Sequence, residues 1–106
     1  MTAAELFQEL KTLGMPVAYK SFPEPTAPPF IVYLFTHSAD MIADNVNYLD
    51  IGNFQVELYT RYKDPPTEKL VQDKLKELKL SYIKREFFIE TENICQIIYE
   101  IKILGE

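Results

Sequence analysis

Phe54-Gln-Val-Glu-Leu-Tyr-Thr-Arg-Tyr-Lys-Asp-Pro-Pro66 decides how this chain folds. Its first six residues alternate, Phe54, Val56 and Leu58 against Gln55, Glu57 and Tyr59. A period of two puts the first set on a buried sheet face and the second on the opposite face. The alternation stops at Asp64-Pro65-Pro66. Asp is a favoured helix N-cap, and proline suits the first helical position, where its missing N–H would have no partner anyway. A half-buried strand therefore hands over to a helix that runs to about Lys79, with Leu70, Val71, Leu75 and Leu78 as its buried stripe. Lys69, Asp73, Lys76 and Glu77 face water.

Downstream, Tyr82 to Ile89 and Ile94 to Leu104 read as strands joined by the polar turn Glu90-Thr91-Glu92-Asn93. Cys95, Ile97, Tyr99, Ile101 and Ile103 share one face of the last strand. Upstream, Thr2 and Glu5 form a capping box for a helix over residues 3–13, which Gly14 and Pro16 stop. Val17 to Phe22 is a possible short strand. Pro23, Pro25, Pro28 and Pro29 make residues 23–29 a stiff extended segment. Phe30 to Phe35 is a continuous apolar strand, buried on both faces or central in a sheet. Residues 36–53 are more polar and read as a hairpin arm, with Asp44-Asn45 as its turn and Val46 to Phe54 feeding the next strand through Tyr62.

The order is α-β-β-β-α-β-β: an α+β fold, a mainly antiparallel sheet of four to five strands with two helices on one face. A chain of 106 residues and 12.4 kDa supports one domain, 1–106. With 47% apolar residues it has material for a core. A single cysteine, Cys95, in an apolar strand implies a reducing compartment. Neither a signal peptide nor an apolar run of membrane-spanning length is visible, so a soluble cytoplasmic protein with no membrane role is expected. The net charge of −5 argues against gripping nucleic acid, whose binding rests on Lys and Arg at phosphates.

Reactive residues offer little. His37 is the only histidine and reads as a loop residue after the Phe30 strand. Cys95 reads as an inert packed thiol rather than a nucleophile. Asp40, Asp44 and Asn45 lack the remaining ligands and the glycine of a calcium loop. Glu90 and Glu92 sit in a turn too wet to shift a carboxyl pKa for acid–base work. Three glycines, Gly14, Gly52 and Gly105, cannot build a phosphate-cradling loop. Lys69, Lys74, Lys76 and Lys79 alternate with Asp73 and Glu77 as on any solvated helix face. No catalytic residue, metal site or cofactor is expected. The seven tyrosines either flank a small core or mark an interface, since aromatic rings with a polar tip are enriched there.

Four strings carry a resemblance: Leu13-Gly-Met-Pro-Val-Ala-Tyr19, Pro28-Pro-Phe-Ile-Val-Tyr33, Val56-Glu-Leu-Tyr-Thr60 with Lys63-Asp64, and Gln96-Ile-Ile-Tyr-Glu100. In this order they resemble the tail terminator or tail-completion (head-tail joining) proteins of long-tailed phages and prophages of Gram-positive bacteria. The resemblance implies a non-enzymatic structural subunit, made in the host cytoplasm and placed at the virion head-tail junction. It implies a homo-oligomeric ring, typically a hexamer, with the tail tube protein and the head connector or completion proteins as partners. Six copies carry about −30 formal charges, so DNA passes nearby without specific binding. Related readings are a head-completion or adaptor protein, or a mobile-element protein that binds a host protein through the arm. A small enzyme using Glu90, Glu92 or His37 is the remaining class. The expected contact residues are Asp40, Met41, Asp44 and Asn45 on the arm, and Glu57 and Tyr59 on the strand.

Overall fold

Both helices begin as their sequences dictate. In the computed structural model, which describes residues 1–105 apart from the Tyr48 side chain, the Thr2 hydroxyl accepts from Glu5 N at 3.1 Å. The Glu5 carboxylate accepts from Thr2 N at 3.0 Å, completing the capping box of α1 (Ala3–Lys11). Asp64 caps α2 (Pro65–Glu77) by accepting from Thr67 N at 3.2 Å.

Between and after the helices run β1 (Val17–Tyr19), β2 (Phe30–Ser38), β3 (Met41–Ala43), β4 (Val46–Leu49), β5 (Ile51–Thr60), β6 (Ile83–Ile89) and β7 (Ile94–Leu104). Five of them form one sheet in the order β1-β2-β5-β7-β6, and β3 and β4 form a separate two-stranded hairpin. The pairings of the large sheet are antiparallel except β1 with β2. This is the expected α+β fold, with the expected element order once the arm is taken as one hairpin unit.

The period-two reading of β5 holds along its length. Phe54, Val56, Leu58 and Thr60 are buried and the residues between them are half-buried. Register places them beside Ile101, Tyr99, Ile97 and Cys95 of β7, and Leu6 and Leu10 of α1 and Val71 and Leu75 of α2 close over this face. The core is therefore one layer between helices and sheet.

The stripe on α2 differs from expectation at one position. Leu70 is 49% exposed, while Glu68 is 3% exposed and takes the place on the sheet side. Residues 68, 71 and 75 follow the i, i+3, i+7 spacing of one helix face, and Leu70 lies about 100° away from Val71.

The strands flanking the arm have other limits than the hydropathy pattern suggested, β2 running longer and β5 stopping two residues short of Tyr62. β2 continues to Ser38, paired with Gly52 after a bulge at Phe35–His37, so His37 lies within a strand and not after it. Asp50 separates β4 from β5, and β5 ends at Thr60, whose hydroxyl donates to Tyr62 O at 2.8 Å. The free-standing hairpin is thus Met41–Leu49. The molecule measures 49 × 28 × 25 Å with a radius of gyration of 14.7 Å, above the ~13 Å of a compact domain of this size.

Candidate functional site

Two surfaces are left uncovered by the helices. The first is the sheet face opposite them, on which Phe30, Tyr59, Gln96 and Phe87 form one cross-strand row and Val32, Glu57, Ile98 and Arg85 the next. Glu57 and Tyr59, the contact residues expected on β5, are joined here. The Tyr59 hydroxyl donates to Glu57 Oε1 at 2.8 Å, and Gln96 Nε2 donates to the Tyr59 oxygen at 2.8 Å. The Tyr59 ring stacks on Phe30 with centroids 4.9 Å apart. Burial, and then the hydrogen bond to the Glu57 carboxylate, push the phenol pKa well above its ordinary value. Tyr59 is therefore a neutral donor fixed in orientation.

The proline segment covers one end of this face. Parallel strands need a crossover, and residues 20–29 provide it, bringing Phe22 edge-on to Phe30 at 5.3 Å between centroids. Beneath lies a cleft of about 490 Å³ lined by Phe22, Pro25, Phe30, Tyr59 and Arg61 among others. The expected stiff segment is a roof on the sheet.

The second surface is the arm. Asp44 and Asn45 have φ angles of 52° and 62°, between paired Ala43 and Val46, which is the geometry of a two-residue type I′ turn. Asp40 works at the root: its Oδ1 accepts from Ile51 N at 2.8 Å and its Oδ2 accepts from Asn47 Nδ2. Met41, Ile42 (69% exposed) and Val46 stand in water. They give the hairpin exposed apolar surface. The structure thus keeps the six expected contact residues in two groups, four on the arm and two on the sheet face.

The other candidates are scattered. His37 is exposed, 3.2 Å from the Thr36 hydroxyl. Cys95 is buried. Glu90 and Glu92 lie exposed in the β6–β7 turn. Among the described residues no three His, Cys, Asp or Glu side chains gather in metal-binding geometry, and no helix is long and apolar enough to cross a membrane.

Glu68 was missed. Lys84 Nζ donates to its Oε1 at 2.7 Å, and Lys63 Nζ lies 3.0 Å from Oε1 and 2.9 Å from Oε2, with hydrogen-bond geometry to Oε1 alone. Lys63 also donates to Glu86 at 2.6 Å. Burial pushes the Glu68 carboxyl upward, but the two ammonium groups outweigh it and hold the pKa below the ordinary carboxylate value. The cluster fastens the β5–α2 junction to β6. Its signal in the sequence is Glu68 on the Val71–Leu75 face with Lys63 just before the helix.

No family model matches the chain, and no curated protein does. Among solved structures, it is similar to a chain in the "Virion of native gene transfer agent (GTA) particle", with 14% identity, a TM-score of 0.66, and coverage of 94% of this chain and 92% of that chain. At this identity the likeness is one of fold.

Proposed function

We propose that the chain is a structural protein of a phage-like virion, acting at the head-tail junction as a ring subunit that ends the tail tube and joins it to the head connector. The observation that carries the phage-like part is the shared fold with a chain of the native gene transfer agent virion along nearly the whole of both. The junction role draws support from the four sequence strings and from two unpartnered surfaces on one small domain. A ring subunit needs contacts to its neighbours and to the layers above and below. The arm and the open sheet face supply surfaces pointing different ways.

The role assigned is mechanical, with no catalytic step. Subunits assemble in the host cytoplasm and end in the virion. The negative net charge of the chain suits a channel through which DNA slides without sticking. Tyr59, Glu57 and Gln96 form a rigid polar patch, ready to make hydrogen bonds without first being ordered.

Deleting the gene from its element and imaging the particles tests this reading. Filled heads beside unattached tails of uncontrolled length are expected. Tails of normal length that fail to join would move the role to head completion or an adaptor. Normally joined particles would refute the proposal.

A further inference from the structure

We propose that the arm Met41–Leu49 of one copy seats in a cleft of a second copy, formed where the end of α2 meets β6 and β7. This deepens the ring reading and rests on it. The cleft holds about 450 Å³, within the ~300–1,000 Å³ of ordinary binding pockets. Its floor is apolar, made by Leu80, Tyr82 and Ile101, and its rim carries Ile83 and Leu104, both more than half exposed.

Charge identifies the occupant. Lys79 and Lys102 line the cleft, and Lys76 lines a hollow that shares Lys79, Leu80, Ser81 and Tyr82 with it. Among the described residues none of these three lysines is in an ion pair. The one acid in the lining, Glu100, is held by Arg85 at 3.0 Å. A cationic cleft on a protein of net charge −5 seeks an anionic, apolar guest.

The arm is such a guest. Asp40, Asp44 and Asp50 fall on it or at its root, and no Lys or Arg occurs between Lys20 and Arg61. Met41, Ile42 and Val46 give it exposed apolar surface. Apolar side chains can enter the floor while Asp44 and Asp50 meet the lysines.

Topology favours a neighbour arranged around a ring. Ile51 pairs with Leu104 and Asn53 with Lys102, so arm and cleft lie at the same end of the sheet. The arm continues β2 and β5, whereas the cleft lies at β7 and β6, toward the other side. A contact between two unlike surfaces repeats the same rotation from copy to copy, and when that rotation closes the result is a ring.

Engineered cysteines test the contact, because the only native thiol, Cys95, is buried. Tagged Ile42→Cys protein is mixed with untagged Ser81→Cys protein and oxidised at low salt, alone and with tail tube protein. Ile42→Cys with Gln8→Cys, on the solvent side of α1, serves as control. The expected product is the mixed dimer, several-fold above the control. Its yield should fall in about 1 M salt, where the Debye length is ~3 Å. It should be lost with Lys79→Glu/Lys102→Glu in the Ser81→Cys chain, and return when Asp44→Lys/Asp50→Lys is added to the Ile42→Cys chain.

A mixed yield at control level in both conditions, dominant Ile42–Ile42 dimers, or indifference to the charge reversals would overturn the contact. A cross-link from Ile42→Cys to the tube protein in place of Ser81→Cys would also overturn it. The gene deletion reads the role separately. Failed junctions without the cross-link would sink the contact alone, and normal particles with it would sink the role alone.

Discussion

Replacing Asp40–Asp50 by Asn-Gly separates what the arm does for folding from what it does for assembly. The cut leaves Ala39 and Ile51 flanking a two-residue loop, and Ala39 N already donates to Ile51 O at 2.8 Å. Asn-Gly is the sequence best suited to the type I′ turn that such a loop needs. The losses are few. The bond from Ile51 N to Asp40 and the bond from Gly105 N to Asp50 O disappear, each worth about 0.5–1.5 kcal/mol. Met41, Ile42 and Val46 are mostly exposed, so little burial goes with them. Against this, shrinking the closed loop from eleven residues to two recovers up to ~1.5 kcal/mol. The net change should lie within about 1.5 kcal/mol of zero, a shift of roughly 10 °C or less in Tm. Calorimetry or denaturant unfolding measures it, and under the proposed function the same variant, returned to the element that carries the gene, should fail to join tails to heads. A loss above ~3 kcal/mol, or loss of cooperative unfolding, would show that the hairpin belongs to the core. A stable variant that still gives joined particles would remove the arm from assembly.

The remaining predictions concern α2 and its ends. Leu75→Ala should cost ~2–5 kcal/mol, because Leu75 is fully buried, whereas Leu70→Ala should cost ~0.5 kcal/mol or less; equal losses in denaturant unfolding would mean the helix face is misassigned. Glu68 has a lowered folded pKa, so its stabilisation is full above the ordinary value near 4.5 and is lost as pH falls through the lower folded value. Unfolding midpoints measured from pH 6 to 3 should therefore show a shallower acid slope in Glu68→Gln, and an unchanged slope would refute the assignment. Lys79 sits at φ 60° in a Schellman cap, with Leu80 N donating to Leu75 O and Lys79 N to Lys76 O. Lys79→Gly should raise stability by about 0.5–1 kcal/mol through relief of left-handed strain, while lowering the Ile42–Ser81 cross-link; a fall in Tm would contradict the first part.

What the chain shows in its residue order is period and punctuation. Phe54 to Thr60, the Asp64-Pro65 start and the Thr2/Glu5 box were legible because each rests on local geometry that a few neighbouring residues determine. Leu70 was misjudged for a tertiary reason: Lys63 and Lys84 satisfy Glu68 and let a carboxylate occupy the sheet-facing position. The full length of β2 was hidden because Thr36, His37 and Ser38 are exposed, and their strand geometry comes from pairing with residues 52 and 53 rather than from hydropathy. Of the candidate contacts, Glu57 and Tyr59 could be placed on the outer face by counting alone. Their link to Gln96 joins residues far apart in the chain, which no local pattern encodes. Lys79 reads in the sequence as one more lysine of a solvated helix face, and only the fold brings it to the same cleft as Lys102 of β7.

The two margins of the sheet are unequal. β1 has three residues and runs into the proline crossover, while β6 offers seven exposed or half-exposed residues with Lys84-Arg85-Glu86 at their centre. A foreign strand laid along β6 would have to accommodate three consecutive charges, two of them already committed to Glu68 and Glu100 and the third to Lys63. That makes open-ended stacking of sheets costly. In the ring proposed above, the backbone of this margin is thus a poor template for a further strand, and the number of copies would be set by side-chain contacts, which count neighbours, rather than by backbone pairing, which does not.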